Sequence, residues 1–277
     1  MSAETEAVTI RDLATHDEYL ACVALQDETW GTTFSERVPP AILRVSQRIG
    51  GVCAGAFDAR GGLVGFVFGM TGVRGGRIVH WSDMLAVREG FRGRRLGERL
   101  KYYQRDKVRA VGAEVMMWTY DPLVARNAHL NINRLGALPI EYVPDMYGSQ
   151  TGSALHGAMP TDRLIVAWDL TTDHSPVPPA RVAGSSAPVS IVNPLDADGA
   201  PGPLAIDGSG ALRIQVPREV QDVQRAGMDV ALRWRLAVRD AFVTLFHRGY
   251  HVTQFVVPRH GRLPYYVLTP SSIAGKT

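Results

Sequence analysis

Apolar and polar positions in the first 170 residues follow the periods of strands and helices. Short apolar runs that end at glycine or polar turns predict strands, and apolar positions at every third or fourth residue predict helices. The predicted strands cover residues 8–13, 52–58, 63–71, 78–87, 114–119, 137–142 and 164–170. The predicted helices cover residues 16–29, 39–49, 98–111 and 121–134. The order β-α-α-β-β-β-α-β-α-β-β predicts an α/β domain over residues 1–170.

Two of these helices carry further expectations. Thr15 is the predicted N-cap of the first helix, because a threonine hydroxyl accepts a hydrogen bond from the backbone of the first turn. On helix 98–111 the apolar residues are expected to face a core. Its basic residues are expected to point largely outward: Arg99, Lys101, Arg105 and Lys107.

The composition changes after residue 170. Residues 171–210 are rich in Pro, Gly and Ser and predict either a linker or a segment draped over the surface. Residues 211–277 predict a small α/β subdomain of order β-α-β-β, with its helical region broken at Gly227. Because a domain of about 65 residues is small, we expect it to pack on the first domain or to extend its sheet.

The chain has 277 residues, of which 45% are hydrophobic and 21% are charged, as in soluble globular proteins. Its two cysteines, Cys22 and Cys53, lack metal-ligand spacing, so no metal is expected, and they predict buried positions in a reducing compartment. The N-terminal stretch lacks the apolar core of a signal peptide, and no stretch has the ~18 apolar residues of a membrane span. We therefore expect a cytoplasmic protein without a membrane partner.

An apolar strand, a basic loop with glycines and a helix start follow one another in residues 83–99 and predict an anion site. The first N–H groups of a helix have no internal partner, and the helix dipole adds positive charge, so phosphate binds there. The arginines around this point are Arg88, Arg92, Arg94 and Arg95. A pyrophosphate is the expected guest. The alternative is a solvated basic cap on a helix.

This stretch resembles the coenzyme-A-binding segment of the GNAT acyltransferase superfamily, whose pattern is Val-x-Pro-x-x-Arg-Gly-x-Gly-x-Gly. The matching positions are Val87, Arg92, Gly93 and Gly97. Glu89 replaces the proline of the pattern, and Arg95 replaces its middle glycine. A side chain at Arg95 is therefore expected either to point away from the pyrophosphate or to bind it.

The resemblance covers roughly residues 7–170. It implies a mixed, mostly antiparallel central sheet flanked by helices, here followed by the C-terminal β-α-β-β extension. It also implies acetyl-CoA or coenzyme A as the cofactor, with strand backbone groups holding the pantetheine arm. The residues implied to bind it are Leu85, Ala86, Val87, Arg92, Gly93, Arg94, Arg95, Leu96 and Gly97.

Asp83 is the first candidate for a catalytic base, because a carboxylate can take the proton of an attacking amine, often through water. Strict strand alternation places it on the same face as Leu85 and Val87, with His80 and Ser82 on the opposite face. The alternative is a structural carboxylate bound to loop N–H groups or to a nearby arginine.

Residues 121–136 resemble the second cofactor element of the same family. Ala128, Arg134 and Gly136 stand at its alanine, lysine and glycine. The family's tyrosine, often the acid for the thiolate, falls on Ile132, and its asparagine falls on Ala125.

Other side chains are candidates for those missing contacts. Asn127 and Asn131 are expected to supply amide contacts to pantetheine. Tyr147, with Tyr142 as an alternative, is the candidate for the missing catalytic phenol, and packing is the favoured alternative role of both tyrosines.

Candidate specificity residues lie near the loops that follow. They are Asp145, Tyr147, Thr161, Asp162 and Arg163. A carboxylate there suits a cationic amine, an arginine suits an acid, and turn residues or salt bridges are the structural alternative. The stretch resembles a branch of GNAT proteins that has no assigned substrate.

Three functions compete. The first is transfer of an acyl group from acyl-CoA directly to an amine of a small molecule, since neither cysteine stands in a motif for a covalent intermediate. The second is a non-catalytic acyl-CoA-binding or regulatory module, and the third is another CoA reaction, such as decarboxylation or O-acylation. No aromatic ladder accompanies the basic residues, so no nucleic-acid partner is expected. The sequence leaves a homodimer open.

Overall fold

The computed structural model describes residues 7–148, 151–153, 159–172, 189–207, 210–258 and 261–271. The strands are β1 Thr9–Asp12, β2 Val52–Phe57, β3 Leu63–Arg74, β4 Arg77–Val87, β5 Val115–Tyr120, β6 Leu138–Val143, β7 Arg163–Asp169, β8 Ser190–Ile191, β9 Leu212–Gln215, β10 Tyr250–Val256 and β11 Tyr265–Pro270. The helices are α1 His16–Trp30, α2 Pro40–Arg48, α3 Leu96–Ala110, α4 Ala125–Ala128, α5 Val220–Ala226 and α6 Met228–His247. A 3-10 turn covers Glu89–Phe91, and a π-helical turn covers His129–Arg134.

The described residues form two sheets. The larger has seven strands in the order β1-β2-β3-β4-β5-β7-β6, with β4 and β5 parallel and the pairs β1–β2, β2–β3, β3–β4 and β6–β7 antiparallel. The predicted mixed, mostly antiparallel sheet is therefore confirmed. The smaller sheet has the order β10-β11-β9-β8 and contains the predicted C-terminal β-α-β-β extension. Its edge strand β8 pairs in parallel with β9 and comes from the segment predicted to be a linker or draped.

The chain divides into two compact units. The first unit comprises Met1–Trp118, Gln150–Gly157 and Trp168–Asp173, and the second comprises Thr119–Ser149, Ala158–Ala167 and His174–Thr277. The three-part division at residues 170 and 210 stays a prediction. In the part of the chain that the structure describes, no helix is long and apolar enough to cross a membrane.

The first unit buries one face of β2–β4 against α1 and α2. Thr15 caps α1 as predicted and forms a capping box with Glu18, so the helix begins at a fixed point. The residues of this core include Leu13, Tyr19, Cys22, Leu25, Leu43, Cys53, Phe66, Phe68, Met84 and Ala86. Helix α3 packs on the other face. Its Leu100 side chain is so close to Gly65 of β3 that a Cβ atom built on this glycine would lie 3.4 Å from it. Strand alternation thus gives each face of the sheet its own helical cover.

The second unit has an aromatic core beside the long helix α6. Phe242 stacks on Tyr142 at 5.5 Å between ring centroids, and it meets Tyr266 edge-on at 5.1 Å. Phe255 continues the cluster, 4.8 Å from Tyr266. The predicted break at Gly227 is confirmed, since α5 ends at the residue before it and α6 begins at the residue after it.

The predicted helix over residues 121–134 is shorter than expected. Asp121 accepts a hydrogen bond from the Leu123 N–H, at 2.8 Å, and its carbonyl accepts one from the Val124 N–H. These bonds make a turn of residues 121–124, so the helix begins only at Ala125. It then widens into the π-helical turn, a form that is frequent at functional sites.

Candidate functional site

Strand β4 carries a bulge at Asp83. The register pairs Phe68 with Met84 and Gly69 with Ser82, so Asp83 has no partner on β3. A bulge adds one residue to a strand and shifts the alternation of side chains beyond it. Strict alternation therefore fails here, and the predicted separation of faces is wrong.

The contacts on the α3 face show this shift. His80 and Ser82 contact Gln104 of α3, and Leu85 and Val87 face the same helix. If Gly97 carried a Cβ atom, that atom would lie 3.4 Å from Leu85 Cδ2. A Cβ atom on Gly65 would likewise lie 3.4 Å from Val87 Cγ2.

The Asp83 side chain instead interacts with Trp81, which donates a hydrogen bond to it, and with the negative charge of Glu36. The carboxylate is exposed, yet surrounding protein atoms replace much of its hydration. This desolvation is the main cause that raises the pKa of Asp83; Glu36 adds to it, and the Trp81 hydrogen bond opposes it. A carboxyl group that is accessible and has a raised pKa is suited to proton transfer.

Strands β4 and β5 diverge after the position of Trp81. They pair only where residues 79–81 lie opposite residues 115–117, and both strands are described in full. Residues 82–87 of β4 therefore make no ladder hydrogen bonds to β5. A parallel pair that separates in this way leaves a wedge with one row of backbone N–H and C=O groups that have no ladder partner on the neighbouring strand. The predicted binding residues Leu85, Ala86 and Val87 lie along this row.

The basic loop joins the open end of the wedge to α3. Gly93 has φ +79°, a conformation that favours glycine. Arg95, which replaces the middle glycine of the pattern, has φ +57°, a left-handed backbone conformation that favours glycine. Its side chain turns onto Glu98, with Nη2 at 2.6 Å from Oε1 and Nε at 3.0 Å from Oε2. Of the two alternatives for Arg95, the structure shows a side chain that is bound within the first turn of α3.

The other arginines of the loop differ in how their charge is balanced. Arg88 is paired with Glu28 at 3.1 Å. Arg92 donates to the Val87 carbonyl at 3.1 Å, and the Arg94 guanidinium carbon lies 5.3 Å from the centre of the Phe91 ring. Among the described residues, neither Arg92 nor Arg94 has a carboxylate partner. The uncompensated positive charge of the loop therefore comes from these two side chains.

The α3 N-terminus lies beside this charge, and no side chain caps it. The helix begins at Leu96, two residues earlier than predicted, and Leu96 is buried. Gly97 packs against Leu85, and a Cβ atom at position 97 would be in ordinary van der Waals contact with that side chain. An uncapped helix start beside two unpaired arginines is suited to a pyrophosphate.

Lys101 was missed by the sequence analysis, and its predicted outward position is wrong. The residue is 5% exposed. Its Nζ donates to Ser82 Oγ at 2.7 Å and lies 3.9 Å from the centre of the Trp118 ring. One signal was present in the sequence, because Glu98, Lys101 and Gln104 recur every third residue and form a polar stripe that α3 buries.

A chain of hydrogen bonds continues from Lys101 into the core. Its far end is the Gly50 carbonyl, which can only accept, so the Thr71 hydroxyl donates to it at 2.6 Å. Thr71 Oγ1 must then accept from His80 Nδ1 at 2.9 Å. The neutral imidazole consequently accepts at Nε2 from the Gln104 amide, at 3.0 Å.

The same reasoning assigns donor and acceptor at the Lys101 end of this series of hydrogen bonds. Gln104 Oε1 accepts from the Ser82 hydroxyl at 2.6 Å, so Ser82 has only a lone pair for Lys101. Burial lowers the pKa of His80 to about 3, and the Lys101 charge adds to that effect, which keeps the imidazole neutral. Burial likewise lowers the pKa of Lys101 well below its ordinary value.

In the second unit, Tyr142 and Asp162 belong to a buried ion pair. Asp162 is fully buried and accepts from Tyr142 at 2.6 Å and from Arg239 at 2.6 and 2.8 Å. Desolvation raises the pKa of Asp162, but the hydrogen bonds from Arg239 and Tyr142 outweigh it and leave it lowered. Desolvation and the Asp162 charge raise the pKa of Tyr142. Both side chains are thus held by hydrogen bonds, Tyr142 to Asp162 and Asp162 also to Arg239.

Tyr147 is more accessible than Tyr142. Its hydroxyl lies 2.9 Å from Thr119 Oγ1, and the guanidinium carbon of Arg163 lies 5.2 Å from the centre of its ring. Thr161 and Asp145 hold the loop before it, since Asp145 Oδ1 accepts from the Thr161 N–H at 3.0 Å. Tyr147 therefore follows a hydrogen-bonded turn and is half-buried, with its hydroxyl in hydrogen-bond distance of Thr119.

The two predicted asparagines also belong to the second unit. Asn127 lies on the short helix α4, and Asn131 lies on the π-helical turn that follows it, where its carbonyl accepts from the Ala137 N–H. Ile132, at the family's tyrosine position, is buried. Asp83, the basic loop and Lys101 belong to the first unit, and Asn127, Asn131 and Tyr147 belong to the second.

No protein-family model and no curated protein matches this chain. Among solved structures it is similar to an N-acetyltransferase from Staphylococcus aureus, with 14% identity, a TM-score of 0.47 and coverage of 59% of this chain and 99% of that one. It is similar to an Arabidopsis thaliana protein in complex with a bisubstrate analogue, with 12% identity, a TM-score of 0.48 and coverage of 59% and 98%. A GNAT family N-acetyltransferase from Escherichia coli in complex with CoA matches at 19% identity and a TM-score of 0.37, with coverage of 46% and 70%. These TM-scores lie below 0.5, so a function for this chain depends on its own residues.

Proposed function

We propose that this chain is an acyl-CoA-dependent N-acyltransferase that transfers an acyl group, with acetyl the first candidate, directly to an amine of a small molecule. The observation that carries the proposal is the bulged strand β4, which diverges from β5 and leads into a basic loop and an uncapped helix start. When bound, acyl-CoA would supply a thioester whose carbonyl carbon accepts the amine.

The described residues fit such a cofactor. Arg92, Arg94 and the first backbone N–H groups of α3 would hold the pyrophosphate, since they combine two uncompensated charges with a helix N-terminus. The backbone row of residues 82–87, which has no ladder partner on β5, would hold an amide-bearing arm by strand-like hydrogen bonds.

The bulge would provide the polar contacts at the reacting end. Backbone N–H groups at Asp83 and Leu85 are candidates to donate a hydrogen bond to the thioester carbonyl oxygen, where negative charge develops. The Asp83 carboxylate would take the proton of the attacking amine, and its raised pKa suits that role near neutral pH. The role of Tyr147 as a phenolic acid stays a prediction, and its hydroxyl lies 2.9 Å from Thr119 Oγ1.

Two measurements test this function. Thiol release from acetyl-CoA is followed over a panel of primary amines, and CoA affinity is measured for Arg92→Ala combined with Arg94→Ala. We expect thiol release with at least one amine, and an affinity lower by about tenfold or more in the double variant, because charged hydrogen bonds to phosphate are lost. Arg88→Ala is the matched control, since Arg88 is already paired with Glu28, and its affinity should stay close to that of the wild type.

The competing function is a binding module without catalysis. It is favoured by one observation, the buried Ile132 at the position of the family's tyrosine. Tight CoA binding without thiol release over the whole amine panel would support this module. Absence of CoA binding would contradict both functions.

A further inference from the structure

Lys101 lies at the closed end of the wedge between β4 and β5. The last paired residues of the two strands are Trp81 and Met117. The residues that follow them directly are Ser82 and Trp118, and Lys101 Nζ contacts both, at 2.7 Å from Ser82 Oγ and 3.9 Å from the Trp118 ring centre. The amine is therefore placed where the two strands begin to separate.

The surroundings of Lys101 do not explain its burial. Among the described residues it has no carboxylate partner, although a buried lysine is normally paired. Ser82 accepts one of its N–H groups, and the Trp118 ring faces the nitrogen. The one-way hydrogen-bond chain through Gln104 and His80 holds Ser82 as an acceptor, so the amine is positioned by its neighbours and keeps a further N–H.

We propose that Lys101 Nζ contacts the sulfur end of the bound acyl-CoA arm and donates a proton to the departing thiolate. The inference rests on the proposed function, because the pyrophosphate at the α3 N-terminus directs the other end of the arm toward the closed end of the wedge. Residues 82–87 span about 17 Å at 3.3 Å per residue, so the two ends are well separated along β4. The role is the one that Ile132 cannot perform.

The proton balance assigns one group to each side of β4. A bond forms between the amine nitrogen and the acyl carbon, and Asp83 takes the proton of the amine. The bond between the acyl carbon and sulfur breaks with its electron pair on sulfur, and Lys101 gives sulfur a proton. Asp83 then loses its proton to water, and Lys101 regains one from water, so the net products are an amide and a thiol.

The electrostatics of the site support this division. The bulge turns Asp83 toward Trp81 and Glu36, whereas Lys101 approaches β4 from the α3 face, so the two groups do not neutralise each other as an ion pair. Burial lowers the pKa of Lys101 well below its ordinary value, and desolvation raises the pKa of Asp83. His80, the other titratable group of the network, stays neutral above pH of about 3. An acid and a base with pKa values moved toward neutrality are suited to proton transfer.

The test is a titration of the thiol of bound CoA, which needs no acceptor and no turnover. The probe is CoA itself, and its thiolate is followed by ultraviolet absorbance from pH 6 to 10, free and bound to the wild type, Lys101→Met or Lys107→Met. We expect the wild type to lower the pKa of the bound thiol by about one unit or more, because a cation within 4–6 Å favours the thiolate. We expect Lys101→Met to return it to the value of free CoA.

Lys107→Met is the matched control. Lys107 lies on the same helix, is exposed and is paired with Asp12, so the variant removes the same charge away from the wedge and should leave the thiol titration of the wild type unchanged. Lys101→Gln, which keeps a donor toward Ser82 but removes the charge, is a second variant if Lys101→Met does not fold, and it should also lose the shift.

The outcomes separate the inference from the function it rests on. If the wild type does not bind CoA, the proposed function fails. If wild type and Lys101 variants bind CoA equally and give the same thiol pKa, CoA binding stands and the role of Lys101 is overturned. If CoA binding is retained in every protein and only the Lys101 variants lose the shift, the inference is supported.

Discussion

Lys101 offers a test that depends on stability alone. The amine is buried beside Ser82 and Trp118 without a carboxylate partner. Replacing buried ionic groups by apolar side chains of similar volume is often neutral or stabilising by ~1–4 kcal/mol. We therefore expect Lys101→Met to fold and to be at least as stable as the wild type at pH 7.

The direction in which the stability of the wild type changes with pH follows from the pKa of Lys101. Burial lowers the pKa of Lys101 in the folded chain, whereas the unfolded chain keeps a value of about 10.4. Between these two pKa values the unfolded chain binds more protons, so the stability of the wild type rises with pH. The slope is up to ~1.4 kcal/mol per pH unit, and the destabilisation disappears above pH of about 10.4. Lys101→Met lacks this contribution.

The assay is urea unfolding of the wild type and Lys101→Met at pH 7, 8 and 9, with the free energy of unfolding taken at each pH. We expect the stability advantage of the variant to be smaller at pH 9 than at pH 7. Lys107→Met is the control, because the hydrogen bond to Asp12 raises the pKa of Lys107 and its effect on stability is constant below pH 10. A constant difference between wild type and Lys101→Met across the three pH values would refute the burial of an unpaired amine.

Three further predictions concern other parts of the chain. Arg95→Gly should melt at the same or a higher temperature and bind CoA within about threefold of the wild type, because the residue has a left-handed backbone and its side chain is bound to Glu98; a large loss of affinity, measured by calorimetry, would place Arg95 on the cofactor. Asp83→Asn should cut kcat by about 100-fold, spare CoA affinity and remove the acidic limb of the kcat profile, and a full retention of turnover would make Asp83 structural. Arg239→Met should lower the free energy of unfolding by about 3 kcal/mol at pH 7 in urea titrations, because it leaves the fully buried Asp162 charge without its ion pair; an unchanged midpoint would contradict the assigned role of that pair.

The sequence predicted the elements whose signals are local. The Thr15 cap and the break at Gly227 depend on residues within one turn of the chain, and the structure has both. The mixed sheet followed from the order of such elements. Local chemistry of this kind survives folding because tertiary packing has little reason to override it.

The parts that were missed depend on partners far away in the chain. The bulge at Asp83 is a one-residue offset between β3 and β4, and a single offset reverses which face each later side chain takes. Lys101 was predicted to point outward because lysine is mostly exposed. Its contacts, the Ser82 hydroxyl and the Trp118 ring, come from two strands that are distant in sequence. The π-helical turn after Ala128 likewise follows from bonds that period-based patterns do not encode.

Calorimetric titration of the full chain with CoA tests the central claim most directly. The account predicts saturable binding of one CoA per chain, weakened by about tenfold or more in the double variant of Arg92 and Arg94 and retained in Arg88→Ala. Absence of binding, or equal binding in all three proteins, would contradict the assignment of the wedge and the basic loop as a cofactor site.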